Sequence, residues 1–267
     1  MKSHKLSPMR YRPINPKIES NKIYTDRVDE KVYLTGRPVN KYWTFDFIET
    51  ISDYINFDDV KTIFDVGSRD AHQSVEFRNW FPEARIIAFE ANPNQIELCV
   101  DTAKNHNIEI TPKAAGDTNG KTTFFIASNN VGASSLLKNA NHPRTNMWPQ
   151  RETIVDMVRI DSWCKENKID TIDLLWMDVQ GAEKIVLEGC GDYLKNVRAI
   201  CTEVEIANMY KNSILKGDLD SYLLERGFVE LQTFHMGKKE IKSLSELSKT
   251  IGECDVIYIN KSIYGEV

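Results

Sequence analysis

From about residue 44 the chain alternates short apolar runs with amphipathic stretches, and this alternation constrains the fold more than any other feature. An apolar run of four to eight residues closed by glycine, asparagine or proline is what a strand covered on both faces requires. KTIFDVG (61–67) is such a run, closed by Gly67. ARIIAFEANP (84–93) is a second, stopped by Asn92 and Pro93. Before them, Phe45, Ile48, Ile51 and Ile55 recur at helical spacing over 43–55, and a polar helix-like stretch separates the two runs. NQIELCVDTAKNHN (94–107) reads as a helix and IEITPKAAGD (108–117) as a third strand. TTFFIAS (122–128) is β-rich, 129–151 reads as a long loop, and 152–167 adds a strand and a short helix. IDLLWMDVQGAE (172–183) is a buried strand running into a helix. VRAICTEVEI (197–206), GFVELQTFH (227–235) and CDVIYINK (254–261) complete the sheet. Strands separated by single helices pair in parallel through right-handed crossovers. The pattern predicts a three-layer α/β domain over 44–267, with one doubly wound, mostly parallel sheet.

Charge divides the chain differently. Residues 1–43 hold ten Lys/Arg against four Asp/Glu, while the other 224 residues carry a net −11. Four prolines (Pro8, Pro13, Pro16, Pro38) oppose a long helix in the basic segment, and Tyr11, Tyr24, Tyr33, Tyr42 and Trp43 are interleaved. It reads as an extended arm, packing its aromatics on the domain or on a second subunit of a homodimer. The same arm could recruit an anionic acceptor. The acidic body argues against general nucleic-acid binding. No window of 18 apolar residues exists, so no transmembrane segment is expected. Five cysteines without a CxxC pair point away from disulfides and structural zinc and toward a cytoplasmic protein.

In an open parallel sheet, ligands sit at the carboxyl ends of the strands. Strand one ends in Asp65-Val66-Gly67-Ser68-Arg69-Asp70-Ala71-His72. Gly67 permits a tight turn and close approach of a ligand to the backbone. A pyrophosphate would need GxGxxG here, and only the first glycine is present. An amino-acid carboxylate paired to a backbone N–H or to Arg69 fits better. Strand two ends at Glu90, where a carboxylate can accept both hydroxyls of a ribose. The pair implies a nucleoside ligand without a diphosphate, a description that S-adenosylmethionine meets.

Over residues 60–262 the chain resembles the FkbM-type S-adenosylmethionine-dependent methyltransferases of the class I superfamily. The resemblance is carried by IFDVGSRDAHQS, FPEARIIAFEANP, AAGD, GASSLL, VRIDSWC, IDLLWMDVQGAE, TEVEIANMY and DLDSYLLERGF. The usual first loop of that family reads DVGANxG where this chain has DVGSRDA, and its usual DVEGAE becomes DVQGAE, with Gln180 in place of the first glutamate. The resemblance implies a Rossmann-like fold with a seven-stranded sheet and S-adenosylmethionine as cofactor. It implies that Asp65, Gly67 and Ser68 line the methionine end, to which the reading of the loop adds Arg69 as a carboxylate partner. Glu90 would hold the ribose with Ala91 and Asn92 beside it, and Ala115, Gly116 and Asp117 would border the adenine.

The same resemblance places Asp178, at the mouth of strand four, beside the methyl group. Methyl transfer needs an acceptor held about 3 Å from the methyl and a route for the acceptor proton. Asp178 is read as base or orienting group, with Glu183 and Glu203 as further candidates. A divalent cation held by Asp178 with Glu203 or Glu205 is the lesser reading, and no metal ligand set is assigned. His72 follows the cofactor loop, and the loop carrying Ser134 and Ser135 reads as a lid near the acceptor. The expected activity is O-methylation of a small-molecule or glycan hydroxyl, in a polysaccharide, glycolipid or secondary metabolite. The alternatives are a nicotinamide-dependent Rossmann oxidoreductase, disfavoured by the missing glycines, and a non-catalytic scaffold.

Overall fold

A computed structural model describes residues 44–234 and 252–264. The basic segment 1–43 and His235 lie outside these residues. Helix α1 (Phe45–Ile51) precedes β1 (Thr62–Val66), α2 (His72–Trp80), β2 (Arg85–Phe89), α3 (Ile96–Ala103) and β3 (Ile108–Thr111). Next come β4 (Ala114–Ala115), β5 (Gly120–Ala127), β6 (Gln150–Val158), α4 (Ile160–Asn167), β7 (Ile172–Met177) and α5 (Glu183–Cys190). The chain continues through β8 (Val197–Glu205), α6 (Lys216–Leu224), β9 (Phe228–Phe234), β10 (Glu253–Asn260) and α7 (Lys261–Tyr264).

The principal sheet has seven strands in the order β3-β2-β1-β7-β8-β10-β9. Neighbours from β3 to β8 are parallel, and β10 runs antiparallel to both β8 and β9. The apolar runs are buried on both faces because successive side chains point to opposite sides. Ile63, Ile86, Leu174 and Ala199 pack with Phe47 and Ile51 of α1 and Phe77 of α2. Phe64, Ile87, Leu175 and Ile200 pack on the other side with Val186 and Leu187 of α5 and Leu219 and Leu223 of α6.

A second, three-stranded sheet, β4-β6-β5, stands apart from the first. The single strand expected over 108–117 is instead two. β3 ends at Thr111, and Pro112, which has no N–H to give to a ladder, marks the break. After it, Ala114 and Ala115 pair in parallel with Met157 and Val158 of β6. The 129–149 segment is also more ordered than a loop reading implies. Ser135 exchanges two backbone hydrogen bonds with Phe125, at 2.8 and 3.0 Å. The Asn139 side-chain amide donates to the carbonyls of Thr145 and Trp148, both at 2.8 Å. This segment forms a tied wall over the carboxyl edge of the main sheet.

Candidate active site

The turn after β1 is built around one unavoidable glycine. Gly67 has φ +83°, and a Cβ there would lie 2.0 Å from the backbone oxygen of Asp178. The β1 turn and the end of β7 therefore touch backbone to backbone. The contact is fixed by Asp178 N–H donating to Val66 O at 2.9 Å and by Gly67 and Ser68 N–H both donating to Phe89 O at 3.0 Å. Arg69 (φ 56°) and Ala71 (φ 60°) also adopt left-handed conformations, which cost energy without glycine. Buried acceptors hold them there. Glu90 accepts the Arg69 N–H on one carboxylate oxygen and the Asn92 N–H on the other, each at 2.6 Å. Beneath the turn, Asp65 accepts the Ser74 hydroxyl at 2.6 Å.

An open cleft of about 830 Å³, a volume that includes the solvent at its mouth, lies against this turn. Of the residues expected at the cofactor, Gly67, Arg69, Glu90, Ala91 and Ala115 line it. Asp65, Ser68 and Asn92 are buried and do not. Gly116 is packed so closely on β6 that a Cβ would meet Met157 Sδ at 2.3 Å. Asp117 uses its carbonyl to accept from the Arg159 guanidinium at 2.6 Å. The cleft gains residues that strand ends alone do not reveal. Gln73 comes from the first turn of α2, Gln95 from the start of α3, and Phe124 and Leu136 from the small sheet and the tied wall. The first two follow strand-end loops directly and were within reach of the sequence. Phe124 depended on the second sheet, which no local signal shows.

Burial governs the acids. It pushes the Asp65 carboxyl up to about 7, opposed by the Ser74 hydrogen bond and aided by the charges of Asp70, Asp178 and Glu90. Burial likewise pushes Glu90 up to about 7, while the N–H groups of Asn92 and Arg69 pull it down. His72 lies 3.1 Å from Asp70 at the mouth of the turn.

Asp178 lines the cleft beside this turn. Its Oδ1 accepts the Gln180 side-chain amide at 2.9 Å, and the same amide nitrogen donates to Glu203 Oε1 at 2.5 Å. Asp178 and Glu203 are thus brought together, but through a third residue. Glu183 does not share the Gln180 bridge: it is buried at the start of α5, its Oε1 accepting the Gly181 N–H at 3.1 Å. With Glu203 and Glu205 it borders a smaller cavity whose gaps are too narrow for a water molecule. Burial raises the Glu183 carboxyl to about 8, with the Glu205 charge adding to the effect. Tyr210, to which sequence reasoning gave no role, sets its hydroxyl 3.0 Å from both Gln180 Oε1 and Ala133 O, its one proton shared between the two acceptors. No group of three or more His, Cys, Asp or Glu among the described residues is arranged to hold a metal ion.

A seven-stranded sheet in this order, turned by a glycine into a cleft at its carboxyl edge, is a Rossmann-like fold. The family profile of the methyltransferase FkbM domain matches residues 65–230, more than half of the sequence, and the chain belongs to that family. Over 168 residues it is 29% identical to the 2-O-methyltransferase NoeI of Sinorhizobium fredii (strain NBRC 101917 / NGR234), covering 59% of this chain and 69% of that protein. The crystal structure of methyltransferase FkbM from Methylobacillus flagellatus KT is similar over 88% of this chain, with a TM-score of 0.51 at 14% identity. This chain spans 51% of that protein's length. The family makes the chain a methyltransferase, which replaces the oxidoreductase alternative.

Proposed function

We propose that the protein transfers a methyl group from S-adenosylmethionine to a hydroxyl, with a sugar as the acceptor class and Asp178 as the residue that orients the hydroxyl and receives its proton. The observation that carries this reading is that Gly67, Glu90 and Asp178 face one cleft. S-adenosylmethionine supplies, when bound, a methyl on a sulfonium whose leaving group needs little help. The chain's own residues do the rest. The Gly67 turn leaves backbone exposed to a ligand where any side chain would collide with Asp178. Each Glu90 oxygen accepts one backbone N–H, and a carboxylate oxygen has a second lone pair, so both retain capacity for ribose hydroxyls. Ala115 and Phe124 offer apolar surface to a flat base. Asp178 stands at the junction of this surface and β7, where positioning contributes as much as basicity.

The name of the NoeI relative, a 2-O-methyltransferase, supports a hydroxyl acceptor. All five cysteines are buried and free, which fits a reducing cytoplasm. Among the described residues no helix is long and apolar enough to cross a membrane.

Calorimetric titration with S-adenosylhomocysteine, run beside NADH, tests the cofactor. Micromolar binding of S-adenosylhomocysteine alone is expected. Glu90→Ala should weaken it by about 1–3 kcal/mol through the lost ribose contacts and the loosened turn. Equal binding by the variant would remove Glu90 from the site. Binding of neither ligand would sink the reading. An acceptor screen among sugars and phosphosugars then follows the conversion of S-adenosylmethionine to S-adenosylhomocysteine.

A further inference from the structure

Gln180 occupies an unusual place among charges. Its amide nitrogen lies 2.9 Å from Asp178 Oδ1 and 2.5 Å from Glu203 Oε1, so both amide hydrogens are committed to carboxylates. Its carbonyl end faces the Tyr210 hydroxyl at 3.0 Å. The two carboxylates decide the orientation of the amide, because a flipped side chain would set its oxygen against two carboxylate oxygens. The backbone is held as firmly: Gln180 sits at φ 55°, and its carbonyl accepts the Ser135 hydroxyl at 2.8 Å. Tyr210 is almost wholly buried and is tied by the same hydroxyl to Ala133 in the wall of the cleft. Two carboxylates brought this close repel unless something of opposite polarity stands between them. Hard cations are the usual solution, since they take carboxylate oxygens directly.

We propose that the Gln180 amide fills the position of a bridging cation between Asp178 and Glu203, and is thereby the positioning residue that fixes the Asp178 carboxylate at the cleft. The inference rests on the role proposed above for Asp178. Two N–H dipoles supply the attraction without net charge, and the Tyr210 hydroxyl keeps them aimed. The arrangement lets the acceptor hydroxyl meet an oriented carboxylate with no divalent ion between them. It also marks Gln180 as the one position where a single isosteric change converts the bridge into a third carboxylate.

The test is Mn²⁺ binding by electron paramagnetic resonance on the full chain, comparing wild type with Gln180→Glu and Gln180→Ala. Wild type should hold no Mn²⁺ tighter than about 1 mM, the weak end of carboxylate sites. Gln180→Glu should gain one site at least about tenfold tighter, lost again when Asp178→Asn is added. Gln180→Ala, which removes the bridge without adding charge, should fall between the two. Once an acceptor is in hand, Mg²⁺ or Mn²⁺ should restore turnover to Gln180→Glu and not to wild type with Asp178→Asn. A purely structural glutamine would not produce that rescue. Wild type binding Mn²⁺ as tightly as Gln180→Glu would overturn the proposal. So would a folded Gln180→Glu or Gln180→Ala with no added affinity, and if one variant fails to fold the other decides. Failure of the chain to bind S-adenosylhomocysteine would instead count against the proposed function, and leaves the Mn²⁺ series readable by itself.

Discussion

The two edges of the main sheet are built to opposite purposes. At the amino edge, where β1, β2, β7 and β8 begin, Lys61, Arg85, Lys168, Asp173, Lys195 and Arg198 border a broad basin of about 1240 Å³. The basin is larger than the cleft at the carboxyl edge, yet its buried acid and two of its arginines are already paired. Asp173 accepts the backbone N–H groups of Lys61 and Thr62 at 2.8 and 2.9 Å and the Arg198 guanidinium at 3.0 Å. Arg85 forks onto both oxygens of Glu109 at 2.6 and 2.8 Å. The left-handed residue there, Lys168, only ends a helix. At the carboxyl edge, Arg69, Ala71 and Gln180 are held left-handed, and Glu183 and Glu205 each keep one buried carboxyl oxygen without a hydrogen-bond partner among the described residues. Volume therefore does not locate a site in this fold. What marks the carboxyl edge is the coincidence of left-handed residues with buried, incompletely satisfied carboxyls where the parallel strands end and their loops converge.

The largest expected effect separates the edges by chemistry. Asp178→Ala should lower turnover by about 10²–10⁴-fold, the range for losing a positioned proton acceptor, while S-adenosylhomocysteine affinity changes less than about threefold. Steady-state kinetics with the acceptor found by the screen, read beside calorimetry, checks both halves. Turnover at the wild-type level would move the chemistry elsewhere along the carboxyl edge.

A smaller effect is expected at the amino edge, and of a different kind. Asp173→Ala leaves two backbone N–H groups and the Arg198 guanidinium without their carboxylate in a buried setting. Chemical denaturation should show a loss of about 2–4 kcal/mol. Turnover and cofactor affinity at temperatures where the variant stays folded should match wild type. A selective loss of turnover would mean that the two edges communicate.

Much of the carboxyl edge was legible because each apolar run announces its own end. Gly67, Glu90 and Asp178 are the residues that follow three such runs, and all three face the cleft. What escaped were relations set by tertiary packing. The break at Pro112 moves Ala114 and Ala115 into a second sheet, and nothing local says that this sheet brings Phe124 to the cleft. Gln180 stood out as a departure from the usual DVEGAE, but its bridge between Asp178 and Glu203 depends on β7 and β8 being neighbours. Tyr210 closes the quoted segment TEVEIANMY, but its role gave no signal, since its hydroxyl partners lie 30 and 77 residues away in the chain. Glu183 shows the converse. Its place at the start of a helix after β7 was legible, whereas its seclusion in the smaller cavity was not.

The smallest effect is a dependence of stability on pH that belongs to the carboxyl edge. Burial raises Asp65, Glu90 and Glu205 to about 7 and Glu183 to about 8, from ordinary values near 4. Glu253, which opens antiparallel β10 at the same edge, is also raised by burial. A carboxyl whose folded pKa lies above its unfolded value binds more proton in the folded state. Its stabilising contribution is complete below about pH 4 and is lost as pH rises through the folded pKa. The ligand-free protein should therefore lose stability between about pH 5 and 8, where carboxyls freed by unfolding would already be ionised. The slope per group is at most about 1.4 kcal/mol per pH unit. Glu183→Gln keeps the shape of the side chain and removes its titration, so the fall in Tm from pH 5.5 to 8.5 should be shallower than in wild type, by a few degrees at most for a chain of this size. Thermal melts across that range decide it: a slope unchanged in Glu183→Gln would mean that the smaller cavity admits enough water to keep its acids ionised, and that the strain of the carboxyl edge resides in the turn after β1 alone.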